Sequence, residues 1–378
     1  MKRLAENIAL TLIIITVLVG CKGKFKEGST EIFYLGGDLS YVNEMIDCGA
    51  EYRINGELID PYELFGKKGA NISRLRLWHN PKWTNYSDYS DVELAIERSK
   101  KNGMAVLLDF HYSDTWADPQ HQVIPKAWEN ISELSVLADS LYKYTYQTLH
   151  KLHEKDLLPE FVQVGNEINI EILQDSASMV VDTINWKRDL TLINAGLKAV
   201  ADFCETNGTE VGTMIHIAQP ENALWWFAEA EKFGIANFDW IGLSYYPKWS
   251  IYSLDSLSIA IDSLIKTYNK KLMIVETAYP YTLENFDEGH NILGKEALIS
   301  GYDATPKGQY SFMKKLKEIT FKSGGKGVIY WEPCWVSTAC ETPWNKGSNW
   351  ENATYFDAAN NNEALPVFDL FESSNDTP

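Results

Sequence analysis

Eight short apolar runs, each bounded by polar residues and separated by stretches with helical spacing, constrain this chain more than any other feature. The runs cover residues 33–39, 72–77, 105–110, 161–165, 211–217, 240–245, 272–276 and 327–331. Between them, apolar positions recur at helical intervals over residues 91–102, 131–155, 186–207, 224–233, 256–269 and 307–323. Parallel neighbours in a sheet need a crossover, usually a helix, so this alternation predicts a closed parallel (β/α)8 barrel. The sequence has 378 residues, and no Pro/Gly/Ser stretch long enough to divide it. One barrel domain over residues 31–372, with a 373–378 tail, is therefore expected.

The beginning of the chain reads as a targeting segment. Lys2 and Arg3 lead into a largely apolar run at 8–19, which is too short to cross a bilayer of about 30 Å as a helix but suits a signal peptide over residues 1–20. Gly20 directly before Cys21 resembles a bacterial lipoprotein cleavage site, and the alternative is an ordinary signal peptide. A lipidated Cys21, a 21–30 tether and an exported protein held at the cell surface or outer membrane by lipid alone are the expectation. Lys and Arg total 34 against 52 Asp and Glu, a net charge of −18 that argues against a nucleic-acid partner. Cys48, Cys204, Cys334 and Cys340 match no zinc spacing and are too sparse for a disulfide scaffold. Cys334 and Cys340 either bridge within one loop or remain buried thiols.

In a (β/α)8 barrel the chemistry sits where the strands end. Here the ends read GGDLS, RLRLW, LDFHYSD, VQVGNE, IHIAQP, LSYYPKW, IVET and YWEPCW, crowded with acids, aromatics, His and Arg. Hydrolysing a glycosidic bond needs two carboxyl groups, one to protonate the leaving oxygen and one to attack the anomeric carbon or activate water. Glu167 closes the fourth run after Asn166, and Glu276 closes the seventh. Strands four and seven face each other across a barrel mouth. A lone acid at a strand end is more often a helix cap, but the pair, with Asn166 and Trp331, fits clan A glycoside hydrolases.

A closer resemblance rests on GGDLS, RLRLWHNP, LLDFHYSDTWADPQHQ, PKAW, VQVGNEI, LSYYPKW, IVETAYPYT, ATPKGQ, YWEPCW and YFDAANNNEALP, which run from Gly36 to Pro366. In these motifs the chain resembles the endo-β-1,4-galactanases of glycoside hydrolase family 53. The resemblance implies a (β/α)8 barrel, a retaining double displacement without a cofactor, and the galactan of type I arabinogalactan as substrate. It makes Glu167 the acid/base and Glu276 the nucleophile, with Arg76 holding the nucleophile ionised. Asp38, His111, Asn166, His216, Tyr246 and Trp331 would line the subsite under attack. Trp78, Trp116, Asp118, Trp249, Trp335 and Asp357 would extend the groove. The plain alternatives are a structural Asp38–Arg76 pair and a satisfied core histidine at His216.

The loop LENFDEGHN after Glu276 resembles the part of bacterial relatives that holds calcium, with Asp287 and His290 as candidate ligands, against the reading of a solvated acidic loop. The segment after Trp331 is shorter than in many relatives. A mannanase or xylanase of the same clan, and a non-catalytic glycan-binding lipoprotein, are the competing readings. A monomer is expected.

Overall fold

The computed structural model describes residues 32–176, 183–343 and 346–372. The signal segment 1–20, Cys21, the tether and the 373–378 tail lie outside the described residues. Eight parallel strands close into a barrel: β1 Tyr34–Asp38, β2 Ile72–Leu77, β3 Ala105–Phe110, β4 Phe161–Val164, β5 Gly212–Ala218, β6 Trp240–Ser244, β7 Lys271–Glu276 and β8 Gly327–Tyr330. Closure is made by β1, which pairs with β8 through Tyr34 opposite Gly327 and with β2 through Gly36 opposite Ile72. A side chain at Gly36 would put its first carbon 1.7 Å from the Ile72 carbonyl oxygen, so only glycine lets β1 and β2 approach there.

Each strand alternates between the lumen and the surrounding helices. Ile72, Arg74 and Arg76 of β2 are one set, while Leu75 and Leu77 join the barrel–helix core and Ser73 bonds Ser99 of the next helix. The lower lumen is an apolar plug of Ile72, Leu107, Phe161, Met214, Trp240, Met273, Val275 and Ile329, distinct from the larger core outside the barrel. Phe161 meets Tyr34 and Trp240 edge-on with ring centres 5.1 and 5.2 Å apart. One irregularity bears directly on the chemistry. Between β6 and β7 the register steps from Leu243 opposite Ile274 to Ser244 opposite Glu276, a bulge that places one extra residue, Val275, in β7. A bulge re-aims the next side chain, and here that side chain is Glu276.

The crossover helices include Tyr89–Lys101, Leu134–His153, Trp186–Asn207, Pro220–Lys232, Leu257–Tyr268 and Pro306–Lys322. Their starts follow capping chemistry. Asp88 accepts from Asp91 N at 2.9 Å and Thr305 from Gly308 N at 3.0 Å. The helix expected from 224 begins at Pro220, which occupies its first turn, where a missing N–H costs nothing. The spacing did not predict the helices Val42–Asp47 and Pro61–Lys68 between β1 and β2. A small sheet of Phe356–Asp357, Glu363–Ala364, Arg53–Ile54 and Glu57–Leu58 pairs the chain's end with this connection. Cys48 forms a disulfide with Cys340, with Cα atoms 5.7 Å apart, and Cys334 is a buried free thiol. This corrects both readings of the Cys334 and Cys340 pair. The bond spans 292 residues and ties the first crossover to the loop after β8.

Candidate active site

Arg74 organises the upper lumen. Its Nη1 donates to Asp38 Oδ2 at 2.9 Å and Glu276 Oε1 at 2.7 Å. Its Nη2 donates to Asp109 Oδ2 at 2.8 Å and Asn166 Oδ1 at 2.6 Å, and Nε to Gln163 Oε1 at 3.2 Å. One buried cation thus serves three carboxylates, and an excess of buried negative charge disfavours any further ionisation nearby.

The expected partner of the nucleophile was Arg76, and the structure corrects that assignment. Arg76 points up the same strand to Glu332 at 2.9 Å, under the rings of Tyr41, Trp78 and Trp116, whose centres lie 4.7, 4.7 and 4.2 Å from its guanidinium carbon. The Asp38–Arg76 structural pair is corrected in the same way: Asp38 is paired with Arg74 and fully buried, so it braces the site from beneath instead of lining it.

Glu167 and Glu276 converge as the two strand ends implied. One carboxylate oxygen of each, with a ring nitrogen of His216, lie within 4.8 Å of one another. All three are engaged in hydrogen bonds: Glu167 with Ser244, Glu276 with Arg74, and His216 with Asn166. Burial and the charge of Glu276 push Glu167 well above the ordinary carboxylate range. Burial also raises Glu276, while Arg74 pulls against it. Tyr246, kept as a phenol by burial and by both carboxylates, donates to Glu276 Oε2 at 3.3 Å. With Arg74 on one oxygen and Tyr246 on the other, Glu276 is built to carry charge, whereas Glu167 is built to hold a proton.

Local backbone shape delivers Glu167. After β4, Gly165 turns at φ 87°, and Glu167 itself sits at φ 43°, a left-handed position that costs an ordinary residue about 1–2 kcal/mol. Gln122 Nε2 fixes this turn by donating to Asn166 O at 2.7 Å. Asn166 Nδ2 donates to Ala117 O at 2.7 Å. His111 is neutral because burial lowers it; Ala117 N donates to its Nδ1 at 3.1 Å, so its Nε2–H faces Asp109 at 3.0 Å.

The aromatic residues divide into floor, wall and backing. Trp331 lies over Arg74 with its ring centre 5.8 Å from the guanidinium carbon and 5.5 Å from Trp116. Tyr246 continues to Trp249, ring centres 5.2 Å apart, and Trp249 is largely exposed. Trp335 stacks on Tyr41 at 4.0 Å and is buried, so it backs the wall. Trp78 is also buried; the exposed ring at that edge is Trp83, 5.0 Å from it. Asp118 acts on Glu167 by its charge and pairs with His121 at 2.9 Å. Asp357 belongs to the small sheet, where its carboxylate accepts from Ala359 N at 3.1 Å; it is not part of the carboxylate cluster. His216 is fully buried, satisfied between Asn166 and Ser244, and lies beside both glutamate carboxylates.

In the loop expected to hold calcium, Asp287 accepts from Gly289 N at 2.6 Å and Ser348 N at 2.7 Å, and the imidazole of His290 belongs to an exposed residue. Among the described residues, Asn291 Oδ1 is buried without a hydrogen-bond partner. Sequence reasoning missed Arg74, Asp109, Gln163, Ser244 and Glu332. The lumen parity of β2 marks Arg74 and Arg76 equally, and the others show only once strands are in register.

The family model described as glycosyl hydrolase family 53 matches residues 34–371. An arabinogalactan endo-beta-1,4-galactanase of Cellvibrio japonicus is 54% identical over 341 residues, covering 90% of this chain and 91% of that protein. The GH53 catalytic domain of Ignisphaera aggregans superposes with a TM-score of 0.81 at 32% identity, covering 91% of this chain and 97% of the other. A fungal beta-1,4-galactanase structure does so with a TM-score of 0.77 at 30% identity, covering 90% and 99%.

Proposed function

The chain belongs to glycosyl hydrolase family 53, and from that premise we propose that Glu276 and Glu167 are the nucleophile and acid/base of an endo-acting, retaining β-1,4-galactanase. The substrate is the galactan of type I arabinogalactan, as the names of its relatives suggest. The observation that carries the reading is that an oxygen of one carboxylate lies within 4.8 Å of an oxygen of the other. Retaining enzymes keep their carboxyl groups about 5–5.5 Å apart, while inverting ones leave about 6.5–9.5 Å for a water.

In the first step Glu276 attacks the anomeric carbon as Glu167 gives its proton to the leaving oxygen, forming a glycosyl ester on Glu276 and freeing the shortened chain. In the second, Glu167 takes a proton from water, the hydroxide oxygen bonds the anomeric carbon, and Glu276 leaves as a carboxylate. Arg74 and Tyr246 stabilise that carboxylate before attack and again on departure. Asn166 has a second amide hydrogen for the sugar 2-hydroxyl, and Trp331 offers an apolar face to the ring under attack. No metal or cofactor enters either step. Wild-type enzyme incubated with β-1,4-galactan, mannan and xylan should release reducing ends from galactan alone, with the β anomer appearing first by NMR. Preferred cleavage of mannan or xylan would instead favour the competing enzymes of the clan.

The lipid anchor at Cys21 and the surface location remain part of this reading, supported by the sequence before that cysteine. Cys21→Ala should release the protein or leave its precursor uncleaved, and soluble wild type starting elsewhere would remove the anchor. Calcium in the loop 282–294, with Asp287 and His290 as its candidate ligands, is supported by the acidic sequence of that loop and by Asn291 Oδ1, buried there without a hydrogen-bond partner. The ion would be structural, and its preference for oxygen makes His290 the poorer of the two ligands. Chelation should then lower the melting temperature. A monomer is expected by light scattering.

A further inference from the structure

The two catalytic carboxylates are joined by a buried chain of hydrogen bonds that a double displacement does not by itself require. Arg74 Nη1 donates to Glu276 and Nη2 to Asn166 Oδ1, at 2.7 and 2.6 Å. Asn166 Oδ1 is 3.0 Å from His216 Nδ1, and His216 Nε2 is 2.9 Å from Ser244 Oγ. Ser244 Oγ is 2.5 Å from Glu167 Oε1.

The direction of every bond follows from one end. A guanidinium only donates, so the Asn166 atom it faces is the carbonyl oxygen, and the donation of Nδ2 to Ala117 O at 2.7 Å pins the amide the same way. A carbonyl oxygen only accepts, so His216 Nδ1 must carry a hydrogen. Burial, together with the charge of Arg74, keeps His216 neutral, which leaves Nε2 a lone pair. Ser244 gives its one hydrogen to that lone pair. A Ser244 hydroxyl donating to a Glu167 carboxylate would also fit the 2.5 Å contact and would lower Glu167. It would leave the His216 Nε2 lone pair without a donor, so with the serine hydrogen on Nε2 the serine oxygen faces Glu167 as an acceptor and Glu167 supplies the hydrogen. The Glu167 backbone N–H also points at His216 Nδ1, at 3.3 Å. Satisfying it would need the other tautomer and would set two lone pairs against each other at 3.0 Å, between Nδ1 and Asn166 Oδ1.

We propose that Ser244 and His216 are positioning residues that hold Glu167 in its proton-carrying, acid-competent form by presenting it with an acceptor. The proposal rests on Glu167 being the acid of the reaction. Other groups act on Glu167 through charge: Glu276 from β7 and Asp118 from the loop after β3 favour its proton, and Arg74 from β2 opposes it. Tyr246 beyond β6 faces both carboxylates as a neutral phenol, and His216 of β5 acts through Ser244. The serine differs because its influence is the direction of a hydrogen bond. When Glu167 yields its proton to the leaving oxygen, the Ser244 hydrogen stays on His216 Nε2 and the new carboxylate faces the serine oxygen, which favours the return of a proton from water in the second step.

The first test needs only the wild type. In nitrogen-15 NMR of histidine-labelled enzyme near neutral pH, the imidazole signal that disappears in His216→Gln should be that of a neutral ring protonated on Nδ1. A neutral ring protonated on Nε2, or an imidazolium, overturns the proposal. The second test is the alkaline limb of kcat/KM on galactan. Ser244→Ala should move that limb down by about one pH unit, because the protonated form loses its acceptor, and Ser244→Thr should restore it. A serine that donated to the carboxylate would give the opposite shift, and an upward or absent shift counts against the proposal. Glu167→Ala, compared on galactan and on an aryl β-galacto-oligosaccharide, checks the underlying reading separately. Equal loss on both substrates would remove Glu167 as the acid, whatever the tautomer of His216.

Discussion

The lower and upper halves of the lumen are built from the same eight strands and rest on opposite physics. Below, Phe161, Trp240, Met214 and their neighbours fill space with apolar atoms, and the Lys271 ammonium at the start of β7 lies 5.0 Å from the Trp240 ring centre. Above, further along the same strands, Arg74, Asp38, Asp109 and Glu276 are buried together. Burying charge costs several kcal/mol per ion unless it is well paired, so the mouth is a region the plug must support. The contrast teaches that stability and chemistry are separated along each strand, and changes at the two ends should fail in different ways.

The largest effect is expected at the mouth. Glu276→Ala should lower turnover of every substrate by roughly 10⁴-fold or more, as loss of a nucleophile does. Its melting temperature should stay level or rise, since one buried carboxylate is gone. A collapse of stability in that variant would blur the distinction between the two halves. At the plug, Trp240→Ala should cost about 3–5 kcal/mol of folding stability. Measured well below its melting temperature, its kcat on galactan should remain within about two-fold of wild type. A large loss of kcat with little loss of stability would mean that the plug tunes the chemistry directly.

The pH dependence of stability should follow the mouth. Glu167 and Glu332 are held well above the ordinary range by burial, the first also by Glu276 and the second by Asp38. An unfolded glutamate releases its proton near pH 4.3. From there upward the unfolded chain binds fewer protons than the folded one, so stability falls as pH climbs through the folded values. The melting temperature should therefore drop between pH 5 and pH 8. Glu167→Gln, which cannot ionise, should flatten part of that slope. A melting temperature that rises over this interval would reverse the sign. The smallest effect belongs to the rim, where Trp83→Ala should raise KM a few-fold and leave kcat unchanged, since uniform binding alone is lost.

How much of this was legible in the sequence depended on period. Strands two, three, six and seven carry alternating or continuous apolar runs, and their positions follow from those runs because a side chain repeats its direction every two residues. The same periodicity fails at Arg74 and Arg76, which share a parity, so only the three-dimensional arrangement of acids chooses between them. It fails again at Glu276, whose inward aim comes from a bulge that alternation does not foresee. Ser244 carries no sequence signal at all and becomes meaningful only opposite Glu276 and beside His216. Cys48 and Cys340 are joined across 292 residues, a pairing no local spacing encodes. The motifs that resemble family 53 supplied the substrate class, which periodicity could not.

The central claim, that two glutamates of one residue type carry different tasks, is tested most directly by azide. With Glu276→Ala, azide should occupy the vacated space, attack an activated β-galactoside and give the inverted α-galactosyl azide. With Glu167→Ala, an aryl substrate whose leaving group needs no proton should still form the intermediate on Glu276, and azide should release it as the retained β-galactosyl azide. That pair of products, identified by NMR, is the predicted result. The two azides exchanged between the variants would reverse the roles of Glu167 and Glu276 and contradict the account.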